Sequence, residues 1–166
     1  MGNFKEHIDH SIKNARFLSQ INNSITDSWD WQVTVCFYTA LHLINAHIVK
    51  KTNSNYLSHR KVEEIINPFN QLSVARLNED VYMSYIKLFQ LSRRSRYLLN
   101  ENFQKSEKMD IQNANFTYGK HLRKAIHHLD IIFIFIKSSY GEQFEIVDIK
   151  CLDLTGLKFD FFRIST

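Results

Sequence analysis

Eight histidines and a short arginine cluster are what this chain offers for chemistry. Histidine changes charge near neutral pH and can carry a proton. Arginine holds phosphate through a planar fork of donors. The run LFQLSRRSRYLL places Arg93, Arg94 and Arg96 at the end of an apolar segment, with Ser92 and Arg96 one helical turn apart. Arg93 and Tyr97 share another face, where arginines can grip a phosphate and Tyr97 can stack on a base. The alternative is that Arg93 and Arg94 are solvated and Arg96 pairs with a buried carboxylate.

A second polar set lies in FYTALHLINAH, where Tyr38, His42 and Asn45 fall on one side of an otherwise apolar helix. Buried polar groups need partners. The polar ends on offer are Ser92, Arg96, Tyr97 and the Ser58-His59-Arg60 stretch. They would build either a hydrogen-bond network that fixes helix register or a pocket where His42, His59 and Arg96 converge on a phosphate-bearing ligand.

Other chemistries are disfavoured. His7 and His10 are three apart and His127 and His128 adjacent, but HExxH and zinc-type Cys/His spacings are absent, so no metal is expected. Four glycines give no phosphate-cradling loop and no nucleophile elbow, and no cofactor is expected.

The elements that must position these residues are helices. In 166 residues, 44% are hydrophobic, and one proline and four glycines leave little to break a helix. Periodicity predicts a first helix from about Phe4 to Ile21, then a cap at Asp27 or Ser28 and a second helix from Trp29 to Lys50 with two apolar faces. One of those faces carries Trp31, Val35 and Tyr38. A short helix follows from Ser58 to Ile66, ended by Pro68. Two more long helices are expected at about Leu77 to Leu99 and Phe116 to Ser138, with a polar loop between them. The tail alternates, and Asp153 to Gly156 has turn chemistry, so a terminal β-hairpin is expected. One domain results, an up-and-down four-helix bundle over 1–140 with a hairpin extension over 141–166. The run IIFIFI offers more apolar width than one bundle contact needs, which predicts a two-fold homodimer through the fourth long helix or the hairpin.

The net charge of +4 permits an anionic partner without demonstrating one. Two cysteines without CxxC spacing read as reduced thiols, and no signal peptide is visible, so a cytoplasmic protein is expected. Trp31 to Val49 carries no formal charge, but six polar residues interrupt it, so a core helix is expected and no membrane contact.

The segments DWQVTVCFYTALHLINAHIV, SHRKVEEII and YIKLFQLSRRSRYLL, with the four-helix layout, resemble bacterial members of the HEPN superfamily. The resemblance implies a helical bundle, usually dimeric. Many members are metal-independent endoribonucleases of toxin-antitoxin or phage-defence systems. Others have lost catalysis and bind nucleotides, nucleic acid or partner proteins. A cognate antitoxin or a nucleotidyltransferase is the partner the resemblance implies. Active members carry R-x4-6-H, and the literal match here is Arg123 to His128, with Lys124 after the arginine. Five residues turn a helix by about 500°, which sets Arg123 and His128 about 140° apart. The expectation is therefore a non-catalytic module binding RNA, nucleotide or a partner protein, using Tyr38, His42, His59, Arg60, Ser92, Arg93, Arg96 and Tyr97. The alternative is a metal-independent ribonuclease using Arg123 and His128.

Overall fold

A computed structural model describes residues 2–25, 28–56, 58–97 and 118–165. Helix α1, Phe4–Ser24, opens with a reciprocal cap: the Glu6 amide donates to Asn3 Oδ1 at 3.0 Å and the Asn3 amide to Glu6 Oε2 at 2.7 Å. Its stripe of Ile8, Ala15, Leu18 and Ile21 is buried. Helix α2, Trp29–Thr52, buries residues on most of its circumference. Asn53 ends it in the left-handed conformation at φ 52°, and Lys50 and Lys51 lie in its last turn, where free carbonyls favour cations.

The short helix α3, His59–Ile66, begins as its cap residue predicts, with the Lys61 amide donating to Ser58 Oγ at 3.3 Å. Helix α4, Glu79–Tyr97, is capped by Asn78 and buries Val81, Tyr85, Leu88 and Ser92. Helix α5, Tyr118–Tyr140, buries Leu122, Ala125, Leu129, Ile132, Phe133 and Ile136. Helices α1, α4 and α5 all pack on α2. The expected cap at Asp27, the polar loop after α4, and helix ends at Leu99 and Phe116 lie outside the described residues.

Two expectations are corrected. The tail is not a hairpin: strands β1, Val147–Lys150, and β2, Phe162–Ser165, run parallel, with Val147 opposite Phe162. The turn chemistry is present, as a single 3₁₀ turn at Leu152–Leu154 and Gly156 at φ 81°. However, residues 157–161 then carry the chain back to the start of β1. Asp130 on α5 holds that return: its carboxylate accepts from the Asp160 amide at 3.1 Å and the Phe161 amide at 2.9 Å. The face of α2 carrying Trp31 and Tyr38 is also not fully interior, since Trp31 is 63% exposed and Tyr38 37%. Tyr38 instead lies under the Arg96 guanidinium, 5.9 Å from its ring centre.

The apolar width of IIFIFI is largely met within the chain. Phe133 packs against Phe144 at 4.8 Å, Phe161 at 5.4 Å and Phe162 at 6.1 Å, leaving Ile134 exposed. On the other edge of β1, Asn22 substitutes for a neighbouring strand. It accepts from the Lys150 amide at 2.7 Å and donates to the Lys150 carbonyl at 3.1 Å and to Gln32 Oε1 at 2.9 Å. Ala in place of Asn22 or of Asp130 strips backbone amides of their acceptor, so each should cost about 1–3 kcal/mol in urea denaturation. An unchanged midpoint for both would refute this account of how the tail is held.

Candidate functional site

Successive helical residues turn by about 100°, so in α4 Arg93 and Arg96 lie only about 60° apart while Arg94 points elsewhere. Arg93 lies 5.6 Å from the Phe89 ring centre and Arg96 donates to the Tyr38 hydroxyl at 3.5 Å. Arg94 instead lines a cavity of about 740 Å³ with Lys120, Arg123 and Lys124 of α5. Among the described residues, His121, His127, His128 and Leu157 also line it, with Asp153 as the carboxylate. Gly119 lets Asp153 approach α5 closely, since a Cβ there would collide with Asp153 Oδ2. The Arg94 Nε–H is enclosed without a hydrogen-bond partner.

Arg123 and His128 therefore share one cavity despite diverging on the helix. Arg123 and His127 are four apart and project together, both exposed. His128 turns toward α4, its Nδ1 3.2 Å from Ser84 Oγ. Burial pushes His128 down to about 4, helped by His127, Lys87 and Lys124. Burial, with Arg94 and Lys124, pushes His121 down to about 4 as well. Both rings are thus neutral near pH 7, and the cavity's positive charge rests on its lysines and arginines.

The other predicted residues separate into two places. His59 packs between Phe37 at 5.4 Å and Phe89 at 5.2 Å, and burial and Arg96 lower its pKa. Ser92 is buried beneath Arg96, whose Nε donates to the Ser92 carbonyl at 3.4 Å. Arg60 is solvated and paired one turn on with Glu64. The Tyr97 side chain lies outside the described residues. His42 does not join His59 and Arg96. It turns to α1, with its Nδ1 3.2 Å from His7 Nδ1 and its ring stacked on His10 at 4.0 Å. Burial first, then His10 and His7, push His42 down to about 4.

Sequence reasoning missed Lys120 and His121 and left open whether Arg94 is solvated or grips a phosphate. The run KHLRKAIHH carries the signal, six basic or imidazole residues within about two and a half turns, but a search for spaced pairs passes over it. Asn55, which bonds His7, was missed because nothing local marks it. Among the described residues no group of three or more His, Cys, Asp or Glu could hold a metal ion. No protein-family model, curated protein or solved structure matches the chain.

The histidines predict an acid-sensitive fold. His42, His121 and His128 fall from 6.5 to about 4, so between those values the unfolded chain binds more protons than the folded one. Stability is complete above that window and declines as pH falls through it. The melting temperature should drop between about pH 7.5 and 5, and less so in a His128→Gln variant. A melting temperature independent of pH over that range would contradict the burial of these rings.

Proposed function

We propose that this chain is an RNA-binding module that takes phosphodiester groups into the basic cavity between the end of α4, the first half of α5 and the turn at 153–157. One observation carries the reading: among the described residues, four permanent cations, Arg94, Lys120, Arg123 and Lys124, line one cavity, with Asp153 as the carboxylate among them. Like charges held together repel one another, and a bound anion relieves that repulsion. RNA, rather than another polyanion, is the choice the HEPN resemblance adds.

Ribonuclease activity is the second reading, favoured by Arg123, His127 and His128 lining the same cavity. In that chemistry the RNA's own 2′-hydroxyl attacks the phosphorus, a histidine takes its proton and an arginine meets the growing phosphate charge. Binding is preferred because His128, at about 4, holds no proton to give a leaving group near pH 7.

The test is fluorescence anisotropy with a labelled single-stranded RNA. Affinity should fall with salt, by a slope of about 0.7 per phosphate neutralised. Arg123→Ala and Lys124→Ala should each weaken binding several-fold and reduce that slope, while Arg60→Ala should not. The same RNA incubated with chelator should stay intact. Chelator-resistant cleavage that His128→Ala abolishes would establish the ribonuclease instead. Absence of binding at low salt would overturn both readings.

A further inference from the structure

Three histidines from two helices meet where the start of α1 lies on the middle of α2. His7 Nδ1 faces His42 Nδ1 at 3.2 Å, and the His10 ring covers the His42 ring at 4.0 Å, within 12° of parallel. Two ring nitrogens in contact share one proton, since one must donate and the other accept. With both rings fully protonated, two N–H groups would point at each other and the contact could not form. A charge on the stacked His10 ring would add a second positive neighbour.

No carboxylate offsets these charges. Among the described residues, the titratable groups that act on His42 are His10 and His7 of α1. The acids beside them in sequence are engaged elsewhere: Glu6 accepts from the Asn3 amide at 2.7 Å, and Asp9 pairs with Lys5 at 3.2 Å. From the segment after α2 the nearby group is the Asn55 carboxamide, 2.9 Å from His7 Nε2. On α3, His59 is turned to Phe37 and Phe89. His10 is exposed and can turn into water. His7 cannot turn so freely, because Asn55 holds its far side and is itself tied to the Gly2 carbonyl at 2.9 Å. Parting His7 from His42 therefore moves the first turns of α1.

The rest of α1 is held by other means. Arg16 donates to both carboxylate oxygens of Glu145, at 3.0 and 2.7 Å, and Ser19 donates to the Asp148 carbonyl at 2.9 Å. The pairing raises the Arg16 pKa and lowers that of Glu145, so neither changes charge where histidines do. Against release of the first turns stand the buried Ile8 and Phe4, whose ring meets Tyr140 at 5.3 Å. Both lie in the same two turns as the histidines, so they leave together with them.

We propose that the His7, His10 and His42 cluster is an acid-operated latch that frees residues 2–10 from α2 while α1 beyond Ser11 stays docked. The inference goes beyond the phosphodiester reading and is independent of it, since none of the three lines the basic cavity. Its direction follows from linkage. Docked, His42 is held down at about 4; released into water it returns toward 6.5. Between those values the open form binds more protons. Docking is complete above the window and is lost as pH falls through it.

The experiment titrates the full chain, labelled with 15N and 13C, from about pH 7.5 to 4.5 by NMR. The amides of residues 3–10 and the Asn55 side chain should shift together with the His42 ring, at a higher pH than the amides of residues 16–22. The Phe4–Tyr140 ring contact should disappear over the same range. His10→Ala, which removes an exposed ring, should move the midpoint to lower pH, and His42→Gln should keep residues 3–10 docked throughout. Should His42→Gln fail to fold, the wild-type protein and His10→Ala still decide the matter. Movement of residues 3–10 only in step with residues 16–22 would overturn the proposal, as general acid unfolding. A Phe4–Tyr140 contact that survives protonation of His42, or a midpoint that His10→Ala leaves in place, would overturn it as well.

Discussion

The burial of α2 is the constraint on which the rest of the structure depends. From Trp31 to Val49 it carries no Lys, Arg, Asp or Glu, and its apolar residues are spread around the axis rather than gathered in a stripe. Such a helix has no wet side to present and must be enclosed by neighbours. Helices α1, α4 and α5 do the enclosing. Length and composition alone would also suit α2 to a membrane, yet most of it is buried inside the fold. Once it is enclosed, its polar groups need partners, and most find one, Thr34 Oγ1 and Asn45 Oδ1 being exceptions. Thr39 returns its hydroxyl to the Val35 carbonyl at 2.8 Å. Gln32 takes the Asn22 amide, and so ties α2 to the residue that holds β1. His47 lies 2.7 Å from the Tyr140 hydroxyl at the end of α5 and 3.1 Å from the Ala75 carbonyl. These polar contacts set the register of three elements against one helix, which apolar packing alone specifies poorly.

The helices were legible in the sequence because the information that specifies them is local. The cap at Ser58, the stop at Pro68 and stripes at spacings of three and four each act within a turn or two. The polar side of α2 was legible as an anomaly but not as a partnership. The sequence places His42 in the middle of one helix and Arg96 near the end of another, where the two could meet. Whether they do depends on how far α1 wraps α2, and α1 brings His7 and His10 to His42 first. The tail failed for a related reason. A turn such as Asp153 to Gly156 reports that the chain reverses, not how far it travels before pairing. The direction of β2 is decided by Asp130, distant in sequence, whose carboxylate catches the Asp160 and Phe161 amides.

The arginines show how one residue of phase decides a role. Arg93 and Arg96 spend their guanidinium faces on Phe89 and Tyr38, where stacking on an aromatic ring is favourable. Arg94, between them in sequence, falls on the side of α4 that meets α5. A run of three arginines therefore does not act as one patch. Its members are divided by the helix between covering aromatic surface and charging a cavity. The literal Arg123–His128 pair is divided in the same way, with Arg123 exposed and His128 turned to Ser84.

Charge and burial together explain why the histidines here serve the cations rather than replace them. His121 and His128 are depressed by desolvation and by neighbouring positive groups. A ring in that position is neutral until an anion arrives. A bound phosphate would reverse the neighbouring electrostatics and favour the protonated ring, so the cavity would gain positive charge as it fills. On the proposed reading, the lysines and arginines supply the field that draws the anion in, and His121 and His128 add to it only after binding.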